Sequence, residues 1–182
     1  MHVKINTMLH LILFAPPEIT IETATGGRMA PLAERGQKGT VCFFILAECP
    51  ISRKYSAEIG RLVDEYTKKK IAFVFVHEDA KVSLADVRKH QSEFGIRIPT
   101  GIDRKHTLAK LANVEAVPCA ALFDPKGKLL YSGRIDDRFA NLGVQRKNPT
   151  RRDLKVAIDE TLSGKPVSKK TAPVVGCTIS LK

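Results

Sequence analysis

The chain has 182 residues, 43% of them apolar, and a formal net charge of +11. That length bounds it to one domain of ordinary size, able to bury a core without disulfide staples. The charge raises nucleic acid as a partner, but basic residues alternate with acids in most segments, Trp is absent, and no RNP or helix-turn-helix pattern occurs. The basic surface therefore reads as solvated, with no nucleic-acid role. No apolar run approaches the roughly 20 residues that cross a bilayer, so no integral membrane segment is expected.

In chain order, residues 1–16 read as an N-terminal arm or a degenerate export signal, which tilts the expected location toward export. Residues 17–164 read as the folded domain and 165–182 as a basic, proline-punctuated tail. Ile19 to Thr23 alternates and is β-branched, a strand that turns at Thr25-Gly26-Gly27. Gly39 to Ala47 and Ile71 to His77 are continuous apolar runs, the mark of central strands covered on both faces. Between them, Pro50 suits a first helical position, and Ile51, Tyr55, Ile59, Leu62, Val63 and Tyr66 recur at steps of three and four, predicting one helix to about Lys69.

Ser83 is the predicted cap of a helix through Phe94. A short extended piece near Pro99 and a short helix over Thr107 to Leu111 follow. Cys119 to Asp124 and Leu129 to Arg134 form a hairpin around Pro125-Lys126-Gly127-Lys128. A last helix is predicted from Thr150 as cap to Ser163, ending at Gly164. An early βαβ portion followed by a hairpin and helix implies a mixed sheet between helical layers.

The four cysteines, Cys42, Cys49, Cys119 and Cys177, show neither C-x-x-C nor a zinc-ligand ladder. Cys42 lies within a buried strand and reads as a small hydrophobe. Cys49 is different. It stands at a strand exit and a helix entry, where unpaired N–H groups and the helix dipole stabilise a thiolate, with Arg53 and Lys54 adding positive charge one turn on. Ser52 occupies the place where a C-x-x-C pair would keep its second cysteine, and its hydroxyl can donate to the thiolate.

A lone nucleophilic thiol needs a second thiol to complete an oxidation cycle. Cys42 is about 23 Å back along an extended strand and cannot reach. Cys119 follows Pro118, but strand alternation makes Val117 the residue that faces the thiol. Cys177, beside Gly176 in the tail, suits a resolving thiol that folds back. The second thiol thus comes from the tail, from beside Pro118, or from another protein.

The strand-Cys-Pro-helix unit with "CPISRKYSAEIGRL", Val117-Pro118 ahead of "LFDPKGKLLYSGR", "GRIDDRF" and the tail "VVGCTI" resemble the thioredoxin-like superfamily. Within it they resemble the redoxin group that includes alkyl-hydroperoxide-reductase and thiol-specific-antioxidant domains. The resemblance runs from about Pro17 to Leu162 and implies an α/β thioredoxin-like three-layer sandwich with a mixed central sheet. It implies that Cys49 is the nucleophile of a thiol-disulfide oxidoreductase and that Pro118 is a cis-proline beside the active sulfur. Val117, Arg134 and Asp137 then line the substrate cleft. The partner would be a thiol or disulfide protein, or a peroxide, with no organic cofactor and no resident metal. The peroxiredoxin motif P-x-x-x-T/S-x-x-C is broken, since Leu46 and Cys42 occupy its Thr and Pro places, which leaves an atypical peroxiredoxin as an alternative. A copper-binding or partner-docking module without catalysis is another, drawing on Cys49, a second cysteine and one of His77, His90 or His106. Oligomeric state is not specified by any of these features.

Overall fold

The computed structural model describes residues 18–33, 36–95 and 97–181; the expected N-terminal arm lies outside them. β1 (Ile21–Thr23) is the predicted first strand, and after the expected turn, with Gly26 at φ 85°, it pairs antiparallel with β2 (Arg28–Met29). β3 (Gly39–Ile45) leads through α1 (Pro50–Lys54), α2 (Ser56–Tyr66) and a 3-10 turn (Thr67–Lys69) to β4 (Ile71–His77). α3 (Leu84–Glu93) is capped by the Ser83 hydroxyl, which accepts from the Asp86 amide at 3.1 Å. β5 (Thr100–Ile102), α4 (Thr107–Leu111) and β6 (Ala116–Val117) precede the hairpin of β7 (Cys119–Phe123) and β8 (Leu129–Gly133). A two-stranded excursion of β9 (Phe139–Asn141) and β10 (Val144–Gln145) leads to α5 (Asp153–Leu162), and β11 (Thr171–Ala172) and β12 (Cys177–Thr178) close the chain.

Eight strands form one sheet in the order β11-β8-β7-β3-β4-β5-β1-β2. β3 and β4 lie at its centre, parallel and buried along their whole length, as their unbroken apolar runs demand. β7 runs antiparallel to β3 and β5 parallel to β4, so the sheet is mixed. Alternation along β3 divides the core. Val41, Phe43 and Ile45 meet Ile59, Leu62 and Tyr66 of α2 and Leu154 and Ile158 of α5 on one face. Cys42 and Phe44 meet Leu108 and Ala109 of α4 on the other. This is the expected α/β sandwich.

Three elements differ from the sequence expectation. The helix predicted to run unbroken from Pro50 to Lys69 divides at Tyr55, whose amide turns to the Ser52 carbonyl at 3.1 Å. The last helix starts at Asp153 rather than at a Thr150 cap, because the Thr150 hydroxyl is turned to the Asp137 carboxylate, to which the Thr150 amide also donates at 2.7 Å, and caps no helical amide. Its end, with Gly164 at φ 70°, is as expected.

The third difference is the largest. Residues 165–181 are a packed strap rather than a loose tail. β11 adds parallel to the edge of β8, and β12 pairs antiparallel with β6. Val167, Ala172 and Ile179 are buried, and Val174 and Leu181 rest on the α4-side core. The physical reason is an available sheet edge beside apolar surface, which the β-branched residues of the strap can cover.

Candidate functional site

β3 delivers the chain to a turn in which the Cys49 amide donates to the Leu46 carbonyl at 3.1 Å. Cys49 itself is extended (φ −77°, ψ 114°) and forms the N-cap of α1, with Pro50 at the first helical position. The backbone therefore turns the Cys49 side chain toward the first amides of α1. From the opposite side comes β6, followed by Pro118 across a cis peptide bond. The Val117 carbonyl lies 3.7 Å from Cys49 Sγ and accepts from the thiol. β12 then brings Cys177 opposite Val117, and the Cys177 thiol donates to Cys49 Sγ across 2.9 Å.

Cys49 is only 2% exposed, whereas Cys177 is partly exposed. Burial pushes the Cys49 thiol up, but the hydrogen bond from Cys177, the amide and hydroxyl of Ser52 and the amide of Ile51 outweigh it and leave the thiol below its ordinary value. Cys177, donating to that sulfur, partly desolvated and facing the developing charge, is pushed up to about 11. Of the two thiols Cys49 releases its proton first, and Cys177 keeps its own and donates it to the anion. Among the described residues the buried Ser52 hydroxyl has no hydrogen-bond partner, which leaves it free to turn to the Cys49 sulfur as the anion forms.

The long-helix dipole expected to assist Cys49 is absent, because α1 has five residues before the break at Tyr55. The hydrogen bond from Cys177 and the local amides carry the effect instead. The two neighbouring cations are engaged with other groups: Arg53 donates to the Ala47 carbonyl at 3.3 Å and stacks on Phe94, and Lys54 donates to Gln145 at 3.1 Å.

The other cysteines lie elsewhere. Cys42 is wholly buried in β3, and burial, with Asp103 and Glu78 nearby, pushes its thiol far up. Burial likewise pushes Cys119 up to about 11. The Cys119 sulfur neighbours Ser132 Oγ and the Ala120 carbonyl, each at 3.8 Å, on the α4 side of the sheet.

Arg134 and Asp137, expected to line the cleft, are engaged away from the sulfurs. Arg134 donates to Asp153 at 2.7 Å and so ties β8 to the start of α5. Asp137 accepts from the Thr150 and Arg151 amides at 2.7 and 3.0 Å and from the Thr150 hydroxyl. Burial opposes ionisation there, but the Thr150 hydroxyl, those amides and Arg146 hold the carboxyl down at about 2. Asp136 serves the site indirectly, accepting from Tyr55 Oη at 2.9 Å while Arg138 bridges it to Glu58. This clamp fixes the α1–α2 break, and with it the turn that carries Cys49.

The histidines do not gather at Cys49. His77 and His90 face each other with ring centroids 5.1 Å apart. Burial, aided by His90, lowers His77 to about 4. His106 Nδ1 pairs with Glu78 at 2.8 Å on the α4 side. Among the described residues, no group of three or more His, Cys, Asp or Glu side chains is placed to hold a metal ion. The copper-binding alternative therefore lacks the histidine it required.

Sequence reasoning placed Gly176 beside Cys177 but missed what that glycine does. A Cβ there would overlap the Val117 carbonyl, so only glycine lets the strap lie close enough to bring Cys177 to Cys49. The run of Val174, Val175, Thr178 and Ile179 around it is the signal that could have marked a strand.

Comparison with known proteins bears on this arrangement. Residues 15–132 match the AhpC/TSA family. The chain belongs to that family. It is thus a redoxin, and the match stops at Ser132, short of α5, the strap and Cys177. Among solved structures, this redoxin is similar to an uncharacterized conserved protein from Geobacillus kaustophilus, with 27% identity, a TM-score of 0.73, and coverage of 92% of this chain and 90% of that one. It is also similar to a hypothetical protein from Sinorhizobium meliloti, with 23% identity, a TM-score of 0.76, and coverage of 90% and 91%. A putative thiol:disulfide interchange protein DsbE from Chlorobium tepidum shares the fold at 20% identity, a TM-score of 0.60, and coverage of 81% and 94%. No curated protein matches the chain.

Proposed function

We propose that this redoxin is a thiol-disulfide oxidoreductase in which Cys49 is the nucleophile and Cys177 the resolving thiol. The observation that carries the proposal is the 2.9 Å approach of the two sulfurs, one with a lowered pKa and the other holding its proton. A disulfide needs its sulfurs about 2.05 Å apart, so a shift of under about 1 Å joins them without rearranging the fold. Family membership and the thiol:disulfide interchange protein among its structural neighbours support the same chemistry.

In the forward step the Cys49 thiolate attacks an oxidant and takes one of its atoms. From a disulfide it takes one sulfur and releases the other as thiolate. From a hydroperoxide it takes one oxygen, becoming a sulfenic acid as the alcohol leaves. Cys177 then attacks the Cys49 sulfur, which displaces the second thiol or water and closes the internal disulfide. The Ser52 hydroxyl and the Ile51 and Ser52 amides stabilise the anion at the start, and Pro118 shapes the wall beside it. Two equivalents of an external thiol, which leave as their own disulfide, return both cysteines to the reduced state.

The hydroperoxide branch lacks the Thr and Pro of the peroxiredoxin motif, whose places are held by Leu46 and by the buried Cys42. The disulfide branch needs neither. A pH series of iodoacetamide alkylation, read by mass spectrometry, tests the proposal. The rate at Cys49 should rise with pH and level off below the free-thiol value of about 8.5. A titration at Cys49 at or above that value counts against it.

A further inference from the structure

Cys49 and its nearest backbone partner lie under the strap. Residues 165–181 leave α5, run along β8, and then pair with β6 so that Cys177 stands opposite Val117 and Thr178 opposite Ala116. The Ile179 amide donates to the Glu115 carbonyl at 3.0 Å, and Ile179 is buried. The backbone edge of β6 is thereby filled by the chain's own segment, fitted so closely that Gly176 has no room for a side chain. Beneath it, Cys49 is 2% exposed.

These facts separate oxidants by size. Thiolate attack on a disulfide requires the two sulfurs of the oxidant to line up with the attacking one. A polypeptide disulfide can bring its sulfur so deep only by laying its own backbone where β12 lies. A molecule of few atoms needs only the Cys177 side chain to rotate aside.

We propose that the seated strap is a size filter, restricting Cys49 to low-molecular-weight two-electron oxidants and shutting out polypeptide disulfides. The proposal rests on Cys49 being the reactive thiol. With a small disulfide RSSR, Cys49–S⁻ and Cys177–SH become the internal disulfide, and RS⁻ and RSH leave. With a hydroperoxide ROOH, the same pair and one proton yield the internal disulfide, ROH and water.

The test uses full-length protein carrying Cys177→Ser, which keeps the strap while leaving Cys49 as its one thiol at the site, and the same protein with Gly176→Val added. Each is mixed with Ellman's reagent and with an unstructured linear peptide activated as a mixed disulfide with the same aryl thiol, so both electrophiles release one chromophore. In Cys177→Ser the peptide should react about 10²-fold more slowly than the small reagent, because it must wait for the fraction of molecules with an open strap. Adding Gly176→Val should remove most of that gap and lift hydrogen exchange at the Ile179 amide, with the small reagent little changed. Equal rates in Cys177→Ser overturn the filter. So does a gap that survives in the double variant, or an Ile179 amide that stays protected there. A third arm, hydrogen peroxide with dimedone trapping at Cys49, tells a hydroperoxide from a small disulfide as oxidant. Silence of Cys49 toward every small reagent would instead overturn the reading of Cys49 as the reactive thiol.

Discussion

Cys49→Ser will reduce turnover of a model disulfide, with an external thiol as reductant, by more than about 10³-fold, since removing a covalent nucleophile eliminates the step that all others serve. The loss should appear in kcat, with the fold intact. Serine is smaller by little and keeps a hydrogen-bonding group beside the Val117 carbonyl, while Pro50 and the Leu46 carbonyl still form the turn. Far-ultraviolet circular dichroism and thermal melting, read beside the activity assay, separate lost chemistry from lost structure. Retention of a tenth or more of wild-type turnover would place the chemistry at another cysteine. The buried, proton-retaining settings of Cys42 and Cys119 argue against either one.

Cys177→Ala should have the second-largest effect, and it has two parts. Without a resolving thiol, Cys49 oxidises once and stops, so a burst of about one equivalent replaces steady turnover when the oxidant is in excess over the external thiol. Without the S–H donor at 2.9 Å, the Cys49 thiolate also loses a stabilising hydrogen bond. Its titration therefore moves up, and alkylation near neutral pH slows because a smaller fraction is ionised. The sign is diagnostic. A Cys177 that were merely a passive cover would, on removal, leave the Cys49 titration where it was and change only how fast the thiolate is reached. Steady turnover by Cys177→Ala at the wild-type rate would mean that an external thiol resolves Cys49.

The sequence carried the central strands, the Ser83 cap, the β7–β8 hairpin and the turn at Cys49 because each depends on local pattern, on apolar runs or on turn chemistry. It did not carry the break at Tyr55. That break depends on the clamp formed when Tyr55 reaches Asp136 and Arg138 links Asp136 to Glu58, residues some eighty positions apart. The charges of "GRIDDRF" suited a cleft equally well on sequence grounds, and only the approach of α5 assigns Arg134 to Asp153 and Asp137 to Thr150. The strap was the largest gap. Its prolines and lysines read as a loose tail, whereas the pairing of β12 with β6 joins positions about sixty residues apart, a contact that no local signal encodes. Cys177 was legible as a candidate, but the reason it meets Cys49 was not, since that reason is the close fit of Gly176 against the Val117 carbonyl.

Whether Cys49 and Cys177 form one redox pair can be read by non-reducing peptide mapping of the full-length protein after mild oxidation with diamide or peroxide. A redox pair gives one dominant crosslinked species joining the Cys49 and Cys177 peptides, reversed by a reducing agent, with Cys42 and Cys119 recovered as free thiols. Recovery of Cys49 and Cys177 both unlinked, or a disulfide that joins Cys49 to Cys119, would contradict it.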